Sequence, residues 1–168
     1  LKNSMVKWKT VEDNVGLLEN KKTAQYIANK SITLVKNEKD LLPLKASRLK
    51  KITHLILSTD DDANDFLKTF HKDLRRTHRN VKKLLVNEAI SDSRIGSIIE
   101  DLKGSSVVVI SMLIRIRMDK GESTIDDSHA RLLKRLKEEN IPMVGISFGS
   151  PYLPSYDPLN AYLCAYGY

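Results

Sequence analysis

Hydrophobic residues in this chain fall into short, mainly apolar runs, separated by stretches in which they recur every three or four positions. The runs are Ser31–Val35, Ile52–Leu57, Val81–Val86, Ser106–Ser111 and Pro142–Ser147, with a sixth candidate at Ala161–Tyr166. Most are rich in β-branched residues, which favour strands. Their continuous hydrophobicity is the pattern of strands covered on both faces, as in a parallel sheet. Helical spacing lies between them. Val15–Lys30 carries Leu17, Leu18, Ala24, Ile27 and Ala28, and Ala63–Leu74 carries Phe66, Leu67, Phe70 and Leu74. A third helix opens at Ile90-Ser91, places Ile95, Ile98, Ile99 and Leu102 on one face, and stops at Gly104. Thr124–Asn140 turns Leu132, Leu133 and Leu136 inward, and Pro142 follows its end.

This alternation predicts a three-layer α/β/α domain with a doubly wound, flavodoxin-like, largely parallel sheet of five or six strands. Leu34, Ile56, Leu85, Val109 and Val144 are expected in the strand cores. Residues 13–168 read as one such domain, and residues 1–12 as a linker entering from upstream. The first residue is Leu1 rather than Met and the chain ends on an apolar run at Tyr168, so the sequence reads as a piece of a longer protein.

Composition narrows the function classes. A hydrophobic fraction of 41% and a charged fraction of 29% are ordinary for a globular domain. Cys164 is the single cysteine, so no internal disulfide forms, although an extracytoplasmic location stays open. No apolar run approaches the roughly 18 residues of a membrane helix, and no signal peptide is visible. The net charge is +7, but the basic residues are spread over many segments without interleaved aromatic rings. Neither a nucleic acid nor a membrane is expected as a partner.

Several motifs resemble chemistry without completing it. Gly145-Ile-Ser-Phe-Gly149 matches a nucleophile elbow, which needs a helix directly after the serine. Ser150-Pro-Tyr-Leu-Pro154 follows instead, and no histidine lies downstream of His129. Ser147 is therefore expected to be structural. Asp60-Asp61-Asp62 follows the second strand, where carboxylates hold Mg²⁺ or phosphate in some α/β domains. The competing reading is helix capping at a positively polarised N-terminus. Glu122, Asp126, Asp127 and Asp157 are the other carboxylates considered for glycoside hydrolysis, which needs two at a set separation. Thr124 to Asp127 also fits a capping box. His54, His71, His78 and His129 lack ligand spacing and read as surface residues. With seven glycines and no phosphate-binding loop, neither a nucleotide cofactor nor a metal is expected.

A family resemblance enters at Ala28-Asn-Lys-Ser-Ile-Thr-Leu-Val-Lys-Asn37 with Leu41-Leu-Pro-Leu44. It continues in Val107–Ile110, Arg115-Ile-Arg117, Lys120-Gly121 and the helix from Asp126, then in Phe148-Gly-Ser-Pro-Tyr152 and Ala161–Tyr168. In this order the motifs resemble the second domain of glycoside hydrolase family 3, on its β-N-acetylglucosaminidase branch. The third motif departs from the family's G-N-P-Y loop, with Ser150 in place of Asn.

The resemblance implies an accessory role. In that family the nucleophilic aspartate sits on a (β/α)₈ barrel preceding this domain, so no catalytic residue is assigned here. The implied partner is that barrel in the same polypeptide, with carbohydrate as a further candidate. A bacterial envelope, periplasmic or secreted location is favoured over the cytoplasm. Loops at the C-terminal strand ends are expected to face the barrel. Arg115 and Arg117 can pair with its carboxylates, and Tyr152 and Tyr156 offer amphipathic rings to an interface or a sugar. A stand-alone carbohydrate- or protein-binding module, and a phosphate- or metal-handling domain using Asp60–Asp62, are the alternatives.

Overall fold

The computed structural model describes residues 5–45, 47, 49–60, 62–114, 125–152 and 157–167. The chain divides into two units, Leu1–Ile32 and Thr33–Tyr168. The first holds helices α1 (Trp8–Asn14) and α2 (Leu18–Ser31). Gly16 turns the chain between them at φ +76°, a backbone conformation that favours glycine.

The second unit is built on strands β1 (Thr33–Asn37), β2 (Ile52–Leu57), β3 (Val81–Val86), β4 (Val107–Ile114), β5 (Met143–Gly149) and β6 (Ala161–Cys164). Helices α3 (Ala63–Phe66), α4 (Lys68–Thr77), α5 (Asp92–Leu102) and α6 (Asp127–Glu138) alternate with them. The strand order is β1-β6-β5-β4-β2-β3. Strands β2 to β6 run parallel, and β1 closes one edge antiparallel to β6. Without β1 the order is the flavodoxin-like one.

The apolar runs have a direct cause in the packing. Leu55 and Leu57 of β2 and Val108, Ile110 and Met112 of β4 face α5 and α6, meeting Ile95, Ile98, Leu132 and Leu136. The intervening Ile52, Val107 and Val109 turn to the opposite face, where Phe70 and Leu74 of α4 cover them with Leu41, Leu42, Leu44 and Leu49. Ile56 and Leu113 lie on that face with Leu67, between α3 and α4. Burial on both sides leaves no polar alternation. Ile56, Val109 and Val144 are buried as expected. Leu85 is half-buried, and Leu34 is 50% exposed, because each stands on an edge strand.

Asn37, at the end of β1, fixes the following segment. Its Nδ2 donates to Leu42 O at 3.1 Å and its Oδ1 accepts from Leu42 N at 2.9 Å. That pair gives a physical reason for the Lys-Asn … Leu-Pro-Leu spacing. It folds the chain back so that Leu41, Leu42 and Leu44 reach the core.

Candidate functional site at the C-terminal strand edge

Ligands of open α/β sheets bind outside the carboxyl ends of the strands, where the strand order reverses. Here the reversal lies between β2 and β4. Ser58 joins those two strand ends: its hydroxyl donates to Leu113 O at 2.9 Å and accepts from Asp60 N at 3.0 Å. Asp60 is buried in this turn, and its carbonyl accepts from Ala63 N at 3.1 Å. Asp62 occupies the position before α3. Its backbone carbonyl accepts from Asp65 N and Phe66 N at 3.0 and 3.1 Å, while its side chain makes no capping bond. Asp62 therefore meets the first turn of α3 through its backbone carbonyl. Asp61 lies outside the described residues. Among the described residues, no three of His, Cys, Asp and Glu converge as metal ligands, and no helix is long and apolar enough to cross a membrane.

At the end of β5, Ser147 is fully buried and donates to the carbonyl of Ser150. Gly149 turns there at φ +110°. Ser150 Oγ accepts from Tyr152 N at 3.3 Å, and Tyr162 Oη donates to Pro151 O at 3.2 Å. The loop is therefore anchored up to Pro151, and Tyr152 beyond it is 82% exposed. A buried serine whose proton is committed to a carbonyl has no path to a substrate. Ser147→Ala should lose about 1 kcal/mol of stability, the worth of one hydrogen bond. A fluorophosphonate probe should leave the unaltered chain unlabelled, and stoichiometric labelling at Ser147 would reinstate a nucleophile.

Of the residues proposed for an interface, only Tyr152 is described. Arg115, Arg117 and Tyr156 lie outside the described residues, as does Glu122. Two of the other carboxylates serve α6. Asp126 caps it, accepting from Ser128 N at 2.8 Å and from the Ser128 hydroxyl, and Asp127 lies in its first turn. The Ser128 hydrogen bonds hold the Asp126 carboxyl below its usual range. Asp157 is exposed, and its carbonyl accepts from Lys36 and Lys137.

The histidines are not surface residues as expected. His54 and His129 are buried, and His71 and His78 partly so. His54 projects from β2 with Nε2 2.8 Å from Ser111 Oγ and Nδ1 3.1 Å from His71 Nδ1. Its ring meets Phe70 edge-on, with centroids 5.3 Å apart. Burial pushes its pKa down to about 3, helped by the charges of His71 and Lys83. His129 donates to Glu88 O at 2.9 Å, and burial lowers its pKa too. The signal was present in the sequence: His54 interrupts an apolar run whose every position is covered.

No protein-family model and no curated protein matches this chain. Solved structures do. β-Glucoside phosphorylase BglX, bound to 2FGlc, superposes with a TM-score of 0.73 at 23% identity over 99% of this chain and 30% of its own. The chain has the fold of one part of a larger enzyme. A β-glucosidase from Listeria innocua gives 0.69 at 18% identity, covering 92% of this chain and 24% of that one. A glycoside hydrolase family 3 β-N-acetylglucosaminidase from Paenibacillus gives 0.64 at 15%, covering 91% and 28%. The chain therefore spans about a quarter to a third of each.

Proposed function

We propose that this chain is the non-catalytic α/β domain of a glycoside hydrolase family 3 enzyme, packing through its C-terminal strand edge on a (β/α)₈ barrel of the same polypeptide. The observation that carries this reading is the fold match. It runs over more than nine-tenths of the chain while taking up a quarter to a third of each enzyme. The motif order supports it independently, since the resemblance has a helix from Asp126 and Asp126 caps α6. The β-N-acetylglucosaminidase branch rests on the Arg115-Ile-Arg117 and Lys120-Gly121 resemblance. In this reading Arg115, Arg117, Tyr152 and Tyr156 face the barrel or wall the sugar site, and catalytic groups lie outside the chain.

The test compares the isolated chain with the polypeptide that carries a barrel ahead of it. The isolated chain should not turn over aryl β-N-acetylglucosaminides or aryl β-glucosides, because glycoside hydrolysis needs two positioned groups. The longer polypeptide should hydrolyse the N-acetylglucosaminide preferentially. Tyr152→Ala in it should raise KM several-fold with kcat little changed, as removal of a binding contact does. Turnover by the isolated chain, lost on one substitution within it, would overturn the reading. A preference for the glucoside would reassign the branch.

A further inference from the structure

One of the basic segments carries a large local excess of positive charge. Residues 68–83 hold seven cations against one carboxylate, Asp73, a net +6 out of the chain's formal +7. All seven cations are exposed. The fold sets them out in order. Helix α4 packs the partly buried Phe70 and Leu74 against the sheet, which leaves Lys68, Lys72 and Arg75 on its outer side at i, i+4 and i+7. At 3.6 residues per turn these three lie within about 60° of one another and span about 10 Å of helix axis. Arg79 and Lys83 carry the basic surface past the helix end to the edge strand β3, where Lys83 Nζ donates to Asn64 Oδ1 at 2.7 Å; Lys82 lies on the other face of that strand, toward α5.

Some of this charge has an intramolecular reason. Arg75 and Arg76 complement the helix C-terminus, Arg76 pairs with Asp73 at 3.4 Å, and Lys82 pairs with Asp101 at 3.4 Å. The remainder does not. Lys68 is the first residue of α4, where the helix dipole disfavours a cation. Lys68 and Lys72 repel each other across one turn. Lys68, Lys72, Arg75 and Arg79 form no ion pair among the described residues. A file of uncompensated like charges costs stability in the free chain, and an external polyanion would offset that cost.

The shape of the file selects the polyanion. Residues 63–83 hold no tyrosine or tryptophan and Phe66 is the one exposed aromatic ring among them, fewer than the series of platforms on which successive bases stack. The cations of α4 form a single row, whereas a duplex presents two phosphate rows flanking a groove about 12 Å wide. A single linear strand with one carboxylate per ring matches both features. We propose that α4 and β3 form a docking surface for a linear carboxylated polysaccharide, a polyuronate, separate from the C-terminal strand edge. This inference does not depend on the family reading, because its test measures binding and not hydrolysis.

The probe is a fluorescently labelled polygalacturonate oligomer, titrated with the full chain. Binding should weaken about tenfold or more between about 20 and about 200 mM salt, as screening removes the attraction. The triple variant Lys68→Glu, Lys72→Glu, Arg75→Glu should lose binding by at least about tenfold at low salt. Lys21→Glu, Lys22→Glu, Lys30→Glu changes the formal charge equally and should bind as the unaltered chain does. Circular dichroism establishes that both variants fold. If the triple variant misfolds, single charge reversals at Lys68 and Lys72, each exposed, carry the same test. Absence of binding, equal loss in both triple variants, or tighter binding of single-stranded DNA of matched charge would each overturn the proposal.

Discussion

Lowering the pH from 6.5 to 4.5 should cost the folded chain about 2 kcal/mol through His54 alone. An unfolded histidine takes up a proton near pH 6.5. In the fold His54 stays neutral until about pH 3, because its ring is buried between β2 and α4 with Ser111 and His71 on its nitrogens. Between those values the unfolded chain binds one more proton, so stability falls as the pH falls, by up to about 1.4 kcal/mol per unit. His71 and His129, whose pKa values burial also lowers, act in the same direction. Asp126 and Glu38 have lowered carboxyl pKa values, so their contribution is lost only at more acid pH. The window above about pH 4.5 therefore reports mainly on histidines. Urea unfolding at several pH values would measure the slope. His54→Gln keeps hydrogen-bonding groups but does not titrate, so it should be less stable at pH 7 and show a slope reduced by about one proton. An unchanged slope would mean that His54 is not the group responsible.

His54 also marks where sequence reading stops. Strand positions were legible because covering both faces of a sheet writes an apolar run into the chain, and β2, buried at every position, begins and ends where its run does. Edges were less legible. β1 starts two residues later than its run and leaves Leu34 half exposed, since an antiparallel edge strand is not covered on both sides. Ala63–Leu74 reads as one helix but divides at Leu67 into α3 and α4. The partners of His54 lie 17 and 57 residues away, and local periodicity carries no information about such pairings. Likewise residues 68–83 read only as one basic segment among several, and Lys68, Lys72 and Arg75 become a row when α4 turns Phe70 and Leu74 inward. At the candidate site, Ser147 is buried and hydrogen-bonded within its own loop, and Tyr152 stands exposed. Asp60 was ambiguous because its role depends on Ser58, which itself bonds to β4.

Gly145→Ala should destabilise the domain by about 1–3 kcal/mol, which is what overpacking a filled core costs. Gly145 belongs to the motif that mimics a nucleophile elbow, and the structure gives it a packing role instead. It lies in β5 opposite Ile110 of β4 and Tyr162 of β6, strands that continue the sheet on either side. A methyl group added there would collide with Leu159 Cδ1 and stand 3.1 Å from Met112 Cε. Both neighbours are buried in the largest core cluster. Leu159 cannot swing away easily, because the adjacent Asn160 is clamped to β5: its N donates to Met143 O at 3.0 Å and its Oδ1 accepts from Met143 N at 2.9 Å. Leu159→Ala alone should cost about 2–5 kcal/mol by opening a cavity. In the double variant the new methyl occupies part of that cavity. Its loss should fall short of the sum of the two single losses by about 1 kcal/mol or more, the coupling expected of residues in contact. Urea unfolding of the four proteins measures this cycle. Strict additivity, or a neutral Gly145→Ala, would show that Leu159 is not what keeps this position free of a side chain.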